Sequence, residues 1–599
     1  MENIKTYLKR TLSVLAIVSL AACNDDFLDK LPETEIGAES FFNTEEDLSI
    51  YINSLYNFPG TSIYYADEAT DNTATTGNRE IKTIMMTDAN STTITGGWEW
   101  EDLRNINFFL EYADKANVTD EIRNHYIGVA RFFRANFYMH KVKRYSNVPW
   151  YDFVLGTSDE DLFKASDSRE TVVQHIFEDY QFAFDNVMTD QPDGAVNKWV
   201  VGAMYSRNAL HEGTFRKYHS ELGLESSANT YLQLAATVSK EIMDSGSFSI
   251  YNTGNPESDY HSLFESQDLT SISEIILTNI HETDVKDASD TQTIFGGYEM
   301  SPARDLLETY LMADGSYFSD QPNSDTMTFV EEFQNRDPRL SQTYAYPGWE
   351  LYYTSTYSPG NTLYVQEFKK NFTGYHQIKG FVNDPSNNVQ NNIDIPVLRY
   401  AEILLNYAEA KAELGTLAQS DLDISINVLR DRANMPHLTM GVTADPIQAA
   451  RYSEVSSAVL LEIRRERRVE MAFEGRRLDD LNRWGAGKLM EKEPIGMYFP
   501  GLGRYDLTGD GVDDIVLLDL SDAVPDPKET NSLGAELIYY TVAEVGNTSA
   551  NVYLTNGTSG YIVGTRDRGA FDAPKHYYRP VPASEVALNP NLDQVFGWE

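Results

Sequence analysis

The sequence predicts a mainly α fold of stacked helical hairpins close to tetratricopeptide (TPR) units in length, with a large irregular region and few short strands. Three observations carry this reading. Apolar residues recur at the 3.6-residue period of a helix face in several segments between 44 and 246 and again from 399 to 433. The clearest of these, Arg399 to Gly415, aligns Ala401, Leu405, Ala408 and Ala412 on a stripe that lets a neighbouring helix approach closely. Helical signals then thin between about 250 and 395, where tyrosine and tryptophan sit among Ser, Thr, Asn and Gly. Long irregular segments in a compact protein are usually functional, and abundant aromatics argue against disorder.

Taken in order, Thr44 with Asp47 reads as a capping-box variant leading into Leu48, Tyr51, Ile52 and Leu55, with Pro59-Gly60 as the stop. Val173, Ile176, Phe177, Tyr180, Phe184 and Val187 make one face of a helix over 172–188. Trp199 to Arg216 is a helix rich in small residues. Tyr231, Leu234, Ala235, Val238 and Ile242 form another face, and Gly246 is placed to end it. After Gly415, Leu422 to Ala433 is expected to be the antiparallel partner of the 399–415 helix. Short β-like runs such as Ile515 to Leu518 mix with proline-rich coil near the C-terminus.

The N-terminus reads as an export signal. Lys5, Lys9 and Arg10 precede an apolar run from Leu12 to Ala22, too short to span a bilayer stably. Leu20-Ala21-Ala22-Cys23 resembles a bacterial lipoprotein box, in which Cys23 becomes the first residue and receives a diacylglycerol thioether. Cys23 is the only cysteine in the chain, so no disulfide can form. Residues 1–22 hold three cations and one anion, so their removal takes the net charge from −43 to −45. Such an acidic body repels phosphate backbones and excludes nucleic-acid binding as a main role. It also leaves anchoring to the lipid, where stable attachment needs roughly two acyl chains or signals.

Residues 455–484 carry Glu462, Glu466, Glu470 and Glu474 at i, i+4 along one helical stripe. Like charges at that spacing disfavour an isolated helix by about 0.2–0.5 kcal/mol per pair. Arg465 and Arg467 can offset this only in part, so some of these charges are expected to find partners elsewhere in the fold; a charged functional site is the alternative to a structural ion-pair network, which is the favoured reading.

Several motifs taken together resemble the SusD-like (RagB/SusD) outer-membrane lipoproteins of the Bacteroidetes. They begin with Cys23-Asn-Asp-Asp-Phe-Leu-Asp29 and Phe41-Phe42, and continue through Ala130-Arg-Phe-Phe-Arg-Ala-Asn-Phe137, Tyr145-Ser-Asn-Val-Pro149, Arg336-Asp-Pro-Arg-Leu340 and Arg399-Tyr-Ala-Glu-Ile403. Leu429-Arg-Asp-Arg-Ala-Asn434, Ile463 to Asp479, and the ending Arg579-Pro-Val-Pro582 with Asn589-Pro-Asn-Leu-Asp-Gln594 complete the set. The resemblance implies a signal peptide over 1–22 and a single domain over 23–599. In that domain the helical scaffold spans about 40–250 and 396–485, the binding region about 60–100 and 250–395, and an irregular C-terminal region 486–599. It implies four TPR-like hairpins, and a role as the lid of a SusC-like TonB-dependent β-barrel transporter that captures a nutrient, in most such proteins a glycan. Asp25 and Asp26 look like the family's signal for export to the cell exterior.

Sugar binding without bond breaking needs aromatic planes plus polar groups for hydroxyls. Trp98, behind Gly96-Gly97, ranks first; Tyr298, behind Gly296-Gly297, and the cluster Trp349, Tyr352 and Tyr353 follow, with Asp71 and Arg79 as polar partners. Trp100 reads as core. The run Asp506, Thr508, Asp510, Val512 and Asp514 has calcium-loop spacing with Gly511 at the turn, but Leu517 stands where an EF-hand has its bidentate glutamate. An incomplete structural Ca²⁺ loop and a plain Asp-Gly turn both fit. No cofactor is required by any motif: His211-Glu212 does not complete a zinc helix, and Gly501-Leu-Gly503 is no nucleotide loop. A peptide-capturing lid, a surface-tethered α-helical glycoside hydrolase or lyase, and a purely structural TPR scaffold are the alternatives.

Overall fold

Several helices begin where the sequence offers an oxygen to cap them. In the computed structural model, which describes residues 41–68, 70–282, 294–295, 301–352, 362–369, 371–383, 392–564 and 568–598, α1 (Glu45–Asn53) starts with a full capping box. Thr44 Oγ1 accepts from the Asp47 amide, and the Asp47 carboxylate accepts from the Thr44 amide at 2.9 Å. Thr119, Ser168 and Asn197 cap α4 (Asp120–Tyr145), α5 (Arg169–Asn186) and α6 (Lys198–Tyr218) in the same way. Between them lie α2 (Glu80–Met86) and α3 (Glu101–Tyr112). Helix α7 (Ala228–Asp244) ends ahead of Gly246, which sits at φ +65°. Cys23 and the rest of the export signal, together with Tyr298 and Tyr353, lie outside the described residues.

These helices stack in sequence: α4 on α5, α5 on α6, α6 on α7, and α7 on α8 (Tyr400–Glu413). The small residues of α6 explain the close spacing, since a β-carbon on Gly202 would lie 2.7 Å from the Phe184 ring, and one on Gly213 would lie 2.8 Å from the Leu232 amide nitrogen. Helix accounts for 41% of the described residues and strand for 9%, which makes the class mainly α. One expectation changes in detail. Residues 419–432 are not one helix but α9 (Gln419–Asp423) and α10 (Ile426–Arg432), broken at Ser425, whose φ −132° and ψ −91° leave the helical region. Helix α8 therefore packs chiefly on α7 and on α12 (Ala458–Glu470), which α11 (Pro446–Arg451) precedes, and only lightly on α10.

The described residues between 250 and 395 are mostly irregular, with helices of a single turn. Strand β1 (Ile275–Asn279) pairs antiparallel with β2 (Ile395–Arg399), and β2 runs directly into α8. Near the C-terminus, after α13 (Arg477–Arg483), a four-stranded sheet orders as β6-β5-β4-β3: Val552–Tyr553, Ile538–Ala543, Ile515–Asp519 and Gly503–Tyr505. Its β4–β5 and β5–β6 pairs are parallel, and β3–β4 is antiparallel. Helix α14 (Ala583–Leu588) closes the chain against the 149–164 segment, where the Asn589 side-chain amide donates to the Lys164 carbonyl at 2.8 Å.

Buried arginine–carboxylate pairs cross-link the scaffold. Arg134 of α4 holds Asp179 of α5 at 2.6 Å, Arg169 of α5 holds Glu212 of α6 at 2.6 Å, and Arg207 of α6 holds Glu402 of α8 at 2.5 Å. Helix α12 is the extreme case, because every residue from Val459 to Glu470 is buried, the charged ones included. The expected partners are found. Glu466 accepts from Arg339 and Arg430, Glu470 from Arg339, Arg399 and Arg432, and Glu474 from Arg399 and Lys379.

Removing one member of such a pair strands a buried charge at a cost of about 3–5 kcal/mol. Arg432→Ala is expected to lower unfolding stability by that amount in urea titration; a loss below about 1 kcal/mol would show that Arg399 and Arg339 alone satisfy Glu470. The same pairs set the acid response. Burial on its own would raise Glu402 and Glu409, but Arg207 and Arg483 outweigh it and hold both carboxyls at about 2 against an ordinary 4.5. A depressed carboxyl contributes stability that is complete above its unfolded pKa and lost as pH falls toward the folded one. The urea midpoint is therefore expected to hold from about pH 7 to 5 and to fall from about pH 4.5 toward 2. A midpoint that stays level down to pH 3 would contradict this.

Candidate functional site

Residues 87–100 carry the chain from α2 to α3, and Gly97 lets that connection press against the end of α4. Gly97 lies at φ +95°, and a β-carbon there would meet Arg144 Nε at 2.5 Å. Trp98 follows immediately. Its indole is 8% exposed and packs edge-on against Tyr145 (ring centroids 4.8 Å apart) and Trp100 (5.4 Å).

Trp98 and Trp100 help wall a cleft of about 630 Å³. Leu103, Arg104 and Asn107 of α3 contribute the floor side, and Tyr151, Phe153, Leu155, Leu162 and Phe163 come from the segment after α4. Leu588, Asn589 and Leu592 come from the end of α14 and the turn beyond it. Phe163 is 53% exposed and Leu588 69% exposed, unusual for large apolar side chains drawn together on one rim.

The polar groups of the lining are largely committed to building it. The Asn107 side-chain amide donates to the carbonyls of Tyr151 (3.0 Å) and Phe153 (3.1 Å), and Arg104 donates to the Leu155 carbonyl. Tyr151 donates its hydroxyl to the Asp161 carbonyl at 2.9 Å, and burial, with Asp161 and Asp167 nearby, pushes its phenol up to about 12. Glu101 and Glu585 bring carboxylates to the lining. Among the described lining residues there is no histidine, cysteine or serine. The arrangement offers flat apolar faces with a few charges at their edge.

Of the residues singled out from sequence, Trp98 is the one that lines this cleft. Trp349 is buried in a second apolar core, against Phe295 (5.2 Å), Tyr364 (5.6 Å) and Phe381 (6.4 Å). Tyr352 is half-buried, and its backbone amide donates to Asn383 Oδ1 at 2.8 Å. Asp71 is interior rather than a loop-surface acceptor: Arg477 grips it through two bonds of 2.7 and 2.6 Å, and Arg468 approaches to 3.1 Å. Arg79 precedes α2, is half-exposed and pairs with Glu68. Trp100 does pack into the helical core, yet it also faces the cleft.

The sequence reading misses Phe153, Leu162, Phe163 and Leu588. No local signal marks them, because each is an ordinary apolar residue until tertiary packing gathers the three segments. At the 506–514 loop the carboxylates serve the turn. Asp506 accepts from the Gly509 and Gly511 amides, Asp510 from the Val512 amide, and Asp514 from the Leu507 and Thr508 amides. No three His, Cys, Asp or Glu side chains converge as a metal site among the described residues. No helix among them is long and apolar enough to cross a membrane.

Stacked helical hairpins supporting a loop-built aromatic cleft define a helical-repeat protein with a surface recess. The chain belongs to the SusD family, whose pattern it matches over residues 261–598. It is similar to the SusD-like protein P38 of Formosa agariphila, with 24% identity over 80% of this chain and 92% of that one, and to the SusD-like protein P2 of the same organism, with 22% identity over 79% and 90%. Two solved structures from Bacteroides fragilis share the fold. A SusD-like protein aligns over 95% of this chain and all of its own, with a TM-score of 0.67 and 20% identity. A SusD-like carbohydrate binding protein aligns over 92% of this chain and all of its own, with a TM-score of 0.65 and 23% identity.

Proposed function

We propose that this chain is a surface lipoprotein that captures a nutrient, an oligo- or polysaccharide, at the Trp98 cleft and delivers it to a SusC-like TonB-dependent barrel for which it is the lid. The observation that carries this reading is the gathering of Trp98, Trp100, Phe153 and Phe163 around one recess in a chain of the SusD family. Stiff aromatic faces suit the apolar faces of sugar rings. The related Bacteroides fragilis protein described as carbohydrate binding supports the ligand class. Cys23 would hold the body at the outer membrane, facing the cell exterior, while it swings over the barrel. The role is binding without bond breaking.

A peptide ligand is the second reading, and one observation favours it. The amide of Asn107 is already spent on the Tyr151 and Phe153 carbonyls, so the recess offers apolar side chains more contact than it offers hydroxyls hydrogen bonds.

A calorimetric screen of the soluble form lacking Cys23, against glycans and peptides, decides between them. With the ligand so found, Trp98→Ala is expected to abolish measurable binding. Phe163→Ala and Leu588→Ala, on the exposed rim, are expected to weaken it by a factor of about 2–10 while leaving stability within about 0.5 kcal/mol. Wild-type affinity in all three variants would move the site elsewhere, and product formation from a bound glycan would overturn the binding-only role. Detergent extracts of the native membrane are expected to yield the chain together with a large β-barrel. Repeated purification without one would refute the lid.

A further inference from the structure

The last two turns of α4 direct three side chains at the segment that carries Trp98. Lys141 Nζ donates to the carbonyls of Gly97 (2.6 Å) and Glu99 (2.5 Å), one on either side of the tryptophan. Arg144 Nη2 and the Tyr145 hydroxyl both donate to the Gly96 carbonyl, at 2.8 and 3.0 Å. Residues 141, 144 and 145 share a helix face by their i, i+3, i+4 spacing, so a single rigid element holds the carbonyls of Gly96, Gly97 and Glu99. Lys141 is itself 3% exposed, and its ammonium lies 5.0 Å from the centre of the Trp100 ring and 4.9 Å from that of Phe137. A buried ammonium with two carbonyl acceptors and two aromatic faces is fully engaged; the Glu99 carboxylate adds a longer contact of 3.4 Å to the Gly97 amide, within the loop itself.

We propose that Lys141 is the positioning residue of the cleft: by bridging the Gly97 and Glu99 carbonyls it fixes the backbone on both sides of Trp98 and so sets the wall that the indole presents. This rests on the reading of the cleft as the binding site, but the clamp itself can be observed without any ligand. It also gives the wall a dependence on protonation. A charged donor makes hydrogen bonds roughly twice as strong as a neutral one. Burial lowers Lys141 to about 8, with Glu99 of the loop and Asp102 of α3 opposing that fall and Arg144 of its own helix adding to it. His140, the adjacent residue of α4, is held down at about 4 by burial and by the neighbouring cations, and so stays neutral across the same range. Arg144 remains charged, paired with Glu80 at 2.9 Å. Lys141 is thus the group facing this segment that changes charge between about pH 7 and 9.

The test uses the soluble chain labelled with 5-fluorotryptophan, with the Trp98 signal assigned by its loss in Trp98→Phe. In the wild type the ¹⁹F resonance of Trp98 is expected to move with a midpoint near pH 8. In Lys141→Arg, which keeps a charge at all these pH values, it is expected to stay in place from pH 6.5 to 9.5. In Lys141→Met it is expected to lie displaced and independent of pH. A Trp98 resonance that is level in the wild type, or that titrates equally in Lys141→Arg, overturns the proposal. Should Lys141→Met fail to fold, the wild-type and Lys141→Arg titrations decide alone. If the clamp titrates as stated but Trp98→Ala binds the screened ligand like the wild type, the binding-site reading fails and the positioning role stands.

Discussion

The fold depends on keeping α12 buried. A helix with four arginines and three glutamates between Glu462 and Glu470 would ordinarily lie on the surface, yet each of these residues is in the interior. Desolvating so many charges is tolerable only if each finds an opposite partner with good geometry. The partners come from everywhere else in the chain. Asp71 and Asp305 lie against Arg468, Asp445 against Arg465, Glu413 against Arg464, and Asp480 against Arg467. Arg339, Arg399, Arg430 and Arg432 converge on the glutamates. The helix therefore acts as a hub that fixes the register between the helical scaffold and the irregular 250–395 region, for which no regular packing of secondary structure would do the job.

The same device recurs on a smaller scale between the hairpins, where single arginine–carboxylate pairs bridge α4 to α5, α5 to α6 and α6 to α8. Helix α4 is the point at which scaffold and cleft meet. Lys143 ties it to Asp479, Arg144 ties it to Glu80 at the start of α2, and the Arg144 carbonyl accepts from the Arg579 amide in the C-terminal segment. Of these, the C-terminal segment continues into the wall of the recess, where Leu588, Asn589 and Leu592 meet α3 and the 149–163 segment.

Much of this was legible beforehand. The caps at Thr44, the apolar faces of α5 and α7, and the alanine stripe of α8 are local patterns, and local patterns survive into the fold because backbone hydrogen bonding is satisfied within each helix. The 26-residue α4 was not legible as a helix by periodicity, because its buried face interleaves Arg134 and Lys141 with Val129, Phe132 and Tyr138. A charged side chain scores as surface until its partner is known. The placement of Asp71 shows the same limit from the other side: a loop aspartate between Thr70 and Asn72 looks like a free acceptor until Arg477, 406 positions away, is found beside it.

By itself, then, the sequence determined the mainly α class, the helix boundaries set by caps and glycines, the family resemblance, and the need of the 462–474 glutamates for distant partners. These follow from spacing along one chain. Only the tertiary structure decided which arginines answer those glutamates, that Trp349 is core while Trp98 walls a cleft, and that Phe153, Phe163 and Leu588 share its rim. Those are relations between residues hundreds of positions apart. Burial and charge pairing are properties of the assembled interior, so no local pattern could encode them.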